Sequence, residues 1–184
     1  MNSYSLSMLT ILGLILVVWI HGGIYSKYLP DECASHYSFD GKPTGYSGKW
    51  TLIAVYWVAG TLIGLLFFSL PFCIRVCPES SINMPNKEYW LSPSRKSRTF
   101  RVLSSYLFSM GIVIQLFLII LFAVIFAANV RDPHEKPPYA WIFIVDFIVF
   151  ILFFIFVIVK LLLRFKKPKN AIWLNHNDDP SDRF

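Results

Sequence analysis

The sequence predicts an all-α integral membrane protein, a four-helix bundle with both termini cytoplasmic, a small outer loop and a basic inner loop. Three observations carry this. Apolar runs occupy residues 6–26, 52–74, 102–128 and 139–163, and at ~1.5 Å per residue each spans a ~30 Å hydrocarbon layer. Hydrophobic residues form 55% of the 184-residue chain and aromatic residues 17%, a composition for side chains dissolved in lipid. The basic residues, finally, gather in alternate loops. One membrane domain is expected over residues 1–169, followed by a polar, flexible tail over 170–184 that includes Trp173 and His176.

The first run is read as a retained helix. Residues 1–7 hold no Lys or Arg, and the run ends in His21-Gly22-Gly23-Ile24-Tyr25 without a small-x-small cleavage pattern. In the second run Gly60 and Gly64 share a face and let a neighbouring helix approach closely, within the monomer in preference to a dimer seam. Pro71 either bends that helix or marks its last turns.

Charge sets the orientation. Arg75, Lys87, Arg95, Lys96, Arg98 and Arg101 lie between the second and third runs. Lys160, Arg164, Lys166, Lys167, Lys169 and Arg183 close the chain, making twelve on one side. Only Lys27, Lys42, Lys49, Arg131 and Lys136 fall on the other. Lys and Arg are retained in the cytoplasm, so a cytoplasmic (inner) membrane with both termini inside is predicted. The net charge of +6 is assigned to this bias and to anionic lipid headgroups. No nucleic-acid partner is expected, because no stacking or groove-reading motif accompanies the charge.

In the outer loop Asp40-Gly41 is a turn dipeptide between polar and aromatic residues, predicting a small hairpin over 35–47 with Gly45 and Gly48 at positive φ. His36 is read as a residue that anchors the turn. The alternative, metal ligation with Asp40, Cys33 and His134, lacks diagnostic spacing. Cys33 lies across the membrane from Cys73 and Cys77 in this topology, so no bridge links them. The inner loop holds interfacial Tyr89 and Trp90, and Ser92 is placed to cap a helix starting at Pro93.

Two blocks carry a family resemblance. The first is Leu29-Pro30 with His36, Phe39, Gly41, Pro43, Gly45 and Lys49, after the first span. The second is Pro85-Asn86-Lys87-Glu88-Tyr89-Trp90-Leu91 with Pro93 and Arg95, after the second. With the spans around them, these resemble the bacterial membrane family called domain of unknown function 1648, over about the whole chain. The first block is also similar to one in larger immunity proteins against a secreted sporulation-delaying toxin. Those proteins carry further spans that this chain lacks, so the likeness implies immunity by analogy alone.

Two polar residues fall inside the apolar runs at one depth. His21 lies in the first and Asp146 in the last. An Asp at a helix centre costs ~2.5 to 3.5 kcal/mol on insertion scales, so a partner is expected. The prediction is a hydrogen bond between Asp146 and His21, with Tyr25 or Gln115 as further members. Locking of two helices ranks first among its uses, ligand or peptide binding second and proton movement third. No nucleophile–base pair, phosphate-cradling loop or metal spacing is present, and Ser104, Ser105 and Ser109 lie at the opposite end from His21. The chain is therefore expected to be no enzyme and to use no cofactor. A binding or protective membrane protein that meets a membrane-active peptide ranks first, an accessory subunit of a larger membrane complex second, and a small transporter last.

Overall fold

The computed structural model describes residues 3–38, 40–137 and 140–166. Phe39, Tyr139 and the 170–184 tail, with Trp173 and His176, lie outside them. Helix α1 covers Ser3–Tyr25, strand β1 Glu32–Tyr37, strand β2 Pro43–Gly48, and α2 Lys49–Val76. A short 3-10 turn at Glu79–Ser81 and a one-turn helix α3 at Lys87–Trp90 lead into α4, Pro93–Arg131, and α5 is Trp141–Arg164. The four long helices are each long and apolar enough to cross a membrane.

Helix α4 is the hub. It packs against α1, α2, α3, α5 and β1, whereas the backbone of α5 lies against α4 alone. With 39 residues it is about 58 Å long at ~1.5 Å per residue, nearly twice the hydrocarbon layer. Its first turns, rich in Arg and Lys, therefore project beyond the apolar run that begins at 102. Pro93 sits at the first helical turn, where its missing N–H costs nothing. Ser92 precedes it, yet its hydroxyl does not cap the helix. It donates instead to the Tyr89 carbonyl at 3.1 Å, and the orphan N–H groups of Arg95 and Lys96 go to the Ser92 carbonyl.

Small residues set the close helix contacts. A Cβ on Gly60 would stand 2.8 Å from Val18 of α1, and one on Gly64 would overlap Ile15 of α1 and the Gln115 amide of α4. The Gly60–Gly64 face is thus filled within the chain. Helix α2 continues through Pro71 to Val76, with the Pro71 ring buried.

The hairpin is wider than the 35–47 segment, running antiparallel from Glu32 opposite Gly48 to Tyr37 opposite Pro43, with an irregularity around His36. Its tip turns at Gly41, φ 83°, closed by Ser38 N–H to Lys42 O and Gly41 N–H to Ser38 O, each 2.8 Å. Gly45 and Gly48 do not take the positive φ expected of them, since Gly41 makes the whole reversal. Gly45 is required for a different reason, because a Cβ there would stand 3.1 Å from the His36 ring. Under the hairpin, Val18, Leu29, Cys33, Ile53, Tyr56 and Phe126 form the buried core.

Candidate functional site

His21 stands one turn from the end of α1 and meets α2. Its Nδ1 lies 3.1 Å from the Tyr56 hydroxyl, and its ring packs on Tyr25 at 4.9 Å and Phe126 at 5.5 Å. Tyr56 is wholly buried and stacks on Phe122 at 4.5 Å. A phenol sealed among aromatic rings needs a hydrogen-bond partner, and the imidazole supplies it.

The predicted pairing of His21 with Asp146 does not form. The two helices make no contact among the described residues, since α1 packs on α2 and α4 while α5 packs on α4. Tyr25 joins His21 through ring contact. Gln115 belongs to a separate station, where its Nε2 donates to the Gly60 carbonyl at 2.7 Å beside Gly64, and its Oε1 has no partner among the described residues. Asp146 is half-buried on the stripe of α5 that carries Phe143 and Phe150. Phe150 stacks on Phe117 of α4 at 4.4 Å. Among the described residues the buried Asp146 Oδ2 has no hydrogen-bond partner, an uncompensated polar atom in an apolar seam.

Beside that seam the hairpin tip, α4 and the start of α5 line an open cleft of 880 Å³. Its walls include Phe117, Leu121, Ile125, Phe143 and Phe147, and its polar rim is Ser38, Asp40 and Lys136. The hydrogen bond from the Ser38 hydroxyl holds the Asp40 carboxyl below its ordinary range, helped by Lys42, whose ammonium is 3.4 Å away. The rim thus presents both signs of charge above an apolar chamber.

The first sequence block builds the hairpin that bears this rim. Leu29 is buried, the Pro30 carbonyl accepts the Cys33 thiol at 3.2 Å, and Lys49 pairs with Asp31 at 3.0 Å. Burial pushes the Cys33 thiol pKa up. His36 bonds the Ser35 hydroxyl at 3.0 Å, while His134 packs on Tyr46. Cys33, His36, Asp40 and His134 therefore point to different partners, and no cluster of three or more such ligands forms among the described residues.

Asn129 escaped the sequence reading. It is 1% exposed and clips the hairpin to α4. Its Oδ1 accepts the Ala34 N–H at 2.6 Å, and its Nδ2 donates to the Ala34 carbonyl at 3.0 Å and to the Ile125 carbonyl at 2.9 Å. A side-chain amide thus serves the free edge of β1 as a neighbouring strand would. The available signal was an Asn directly after the apolar run ending at 128, which reads as the first residue of a loop.

At the opposite end the second block latches α5. Asn86, at φ 52°, donates through Nδ2 to the Phe165 carbonyl at 3.0 Å, and Trp90 Nε1 donates to the same oxygen at 2.9 Å. These bonds satisfy a carbonyl past the last turn of α5, where no helical N–H follows. Trp90 also stands edge-on to the Phe165 ring, and its own carbonyl accepts the Thr99 hydroxyl at 2.8 Å. Arg95 lies over the Tyr89 ring at 4.3 Å, and Leu91 is buried. Pro85 lines a second cavity of 440 Å³ with Tyr106, Met110 and Leu162. Lys87 and Glu88 form the body of α3.

No significant match to the chain was found among curated proteins or among solved structures. A family model does match, from Gly13 in α1 through the hairpin to Gly60 in α2, so it takes in His21, Tyr25, Tyr56 and the first block but not residues 85–95. Over residues 13–60 the chain is similar to the domain of unknown function DUF1648.

Proposed function

We propose that the chain is a non-catalytic binding protein of the membrane that receives an amphipathic peptide in the cleft between the hairpin tip, α4 and α5. The observation that carries this is the 880 Å³ chamber with apolar walls under a rim of Asp40, Ser38 and Lys136. Ligand sites combine such a volume with a few convergent polar groups. A peptide lying at the membrane surface offers the complement, apolar side chains on one face and charges of both signs on the other. The hairpin end is then the outer face and both termini are cytoplasmic, in keeping with twelve basic residues against five. Protection against a membrane-active peptide is the role that fits this arrangement.

The test is a chamber-filling variant. Leu121→Trp places an indole in the cleft, and binding of a fluorescent amphipathic helical peptide to the protein in nanodiscs should fall at least tenfold. Unchanged binding by L121W overturns the reading. Sidedness is tested separately by cysteine labelling in intact cells, with position 42 reactive from outside and position 90 shielded. A second reading, an accessory subunit, draws on α5, where Val157 is the buried residue and large side chains such as Phe147, Leu152 and Phe156 are exposed. Copurification of a fixed larger assembly in mild detergent would favour it.

A further inference from the structure

The end of the bundle opposite the hairpin holds a feature that the peptide cleft does not use. Arg75 from the last turn of α2 and Lys96, Ser97 and Arg101 from the first turns of α4 line a depression of 460 Å³, together with Pro93 and Phe100. Arg75 is held in place there. Its Nη2 donates to the Tyr4 hydroxyl at 2.7 Å and its guanidinium lies 5.1 Å from the centre of that ring. One of its five N–H groups is used among the described residues. Lys96 pairs with Glu79 at 2.7 Å. Arg101 has no side-chain hydrogen bond or ion pair among the described residues. Three cations face one carboxylate, so the depression keeps an excess of two positive charges. Phe100, 6% exposed, lends it an apolar wall.

Depth is given independently by the sequence. The second apolar run stops at 74, directly before Arg75, and the third starts at 102, directly after Arg101. The cations therefore sit where hydrocarbon gives way to phosphate, whichever face of the membrane this end occupies. From this convergence we infer that the Arg75–Lys96–Ser97–Arg101 depression binds the phosphate of an anionic phospholipid, such as phosphatidylglycerol. Guanidinium forks match phosphate oxygens in pairs, and the Ser97 hydroxyl supplies a further donor. A choline headgroup adds its own cation to a site already in positive excess, so zwitterionic lipid is disfavoured.

The experiment uses the full chain in detergent and native mass spectrometry with added dioctanoyl phosphatidylglycerol, dioctanoyl phosphatidylcholine or inorganic phosphate. Wild-type protein is expected to retain phosphatidylglycerol and not phosphatidylcholine. Arg101→Gln should weaken retention roughly fivefold, the effect of one cation at the headgroup layer. Arg98→Gln, an equal charge change outside the depression, should leave it unchanged. Because Arg75 also holds Tyr4, R101Q rather than R75Q is the deciding variant, with Ser97→Ala as a second that keeps the charge. Equal retention of both lipids, or equal losses in R98Q and R101Q, overturns the site. Competition by inorganic phosphate at the lipid's own concentration assigns it to a soluble phosphate and overturns the lipid.

Discussion

Replacing Asn129 by Ala should undock the hairpin while leaving the helices paired. The amide serves the Ala34 N–H at 2.6 Å and the Ala34 carbonyl at 3.0 Å, and Ala34 is 0% exposed. Without it both backbone groups are stranded away from water, at ~1 to 3 kcal/mol each. The Ile125 carbonyl keeps its helical partner and adds little. The sum is about 2 to 6 kcal/mol, which corresponds to opening of β1 at least about 30-fold more often. Amide hydrogen exchange at Ala34 in micelles measures this directly, and thermal unfolding reports the global part. Exposed Asn83 provides the control, since N83A should stay within about 0.5 kcal/mol of wild type. If the Ala34 amide in N129A exchanges as slowly as in wild type, the clip is not what seats the hairpin.

Other expectations concern single contacts. Gly64→Ala drives a Cβ into Ile15 and Gln115 and should cost about 1 to 3 kcal/mol, while Gly13→Ala, with nothing within 4 Å, should be neutral or stabilising by up to about 1 kcal/mol in the same melts. Asn86→Gly keeps the positive φ and loses one hydrogen bond, about 1 kcal/mol. N86A adds backbone strain of ~1 to 2 kcal/mol, so the order of melting should be wild type, N86G, N86A. Cys33 is buried with its thiol pKa raised by burial, whereas Cys77 is exposed. Cys73 is exposed as well but lies within the apolar run ending at 74, so iodoacetamide at pH 8 should label Cys77 first, and the double variant C73S/C77S should abolish labelling faster than that of Cys33. The Asp40 carboxyl, lowered from its ordinary 3.8 by the Ser38 hydrogen bond, stabilises the tip above that value and loses its effect as pH falls through the lower folded value. Exchange at the tip amides should therefore quicken only in that acid range.

The spans were legible because twenty apolar residues in a row leave a chain little choice in lipid. The turn at Asp40-Gly41 was legible because the left-handed region favours Gly. Partner choice was not. His21 and Asp146 are paired on a depth counted along the sequence, yet depth is one coordinate and the azimuth of α5 around α4 is another, which hydropathy does not encode. The same gap hid Tyr56, whose phenol reads as an ordinary aromatic within an apolar run until α1 is seen beside it. Asn86 and Trp90 stood out as a block, and they read as a surface anchor because their acceptor, the Phe165 carbonyl, lies 75 or more residues further on.

Helix α5 touches one helix along its length and is tethered near both ends, by Phe143 against Tyr37 and by the two donors on the Phe165 carbonyl. Ile144 and Phe147 border the chamber at the hairpin end, and Leu161 and Leu162 border the one at the other end. One helix thus supplies a wall to both chambers, so any displacement of α5 against α4 would alter the two ends of the molecule together without a change in α1 or α2.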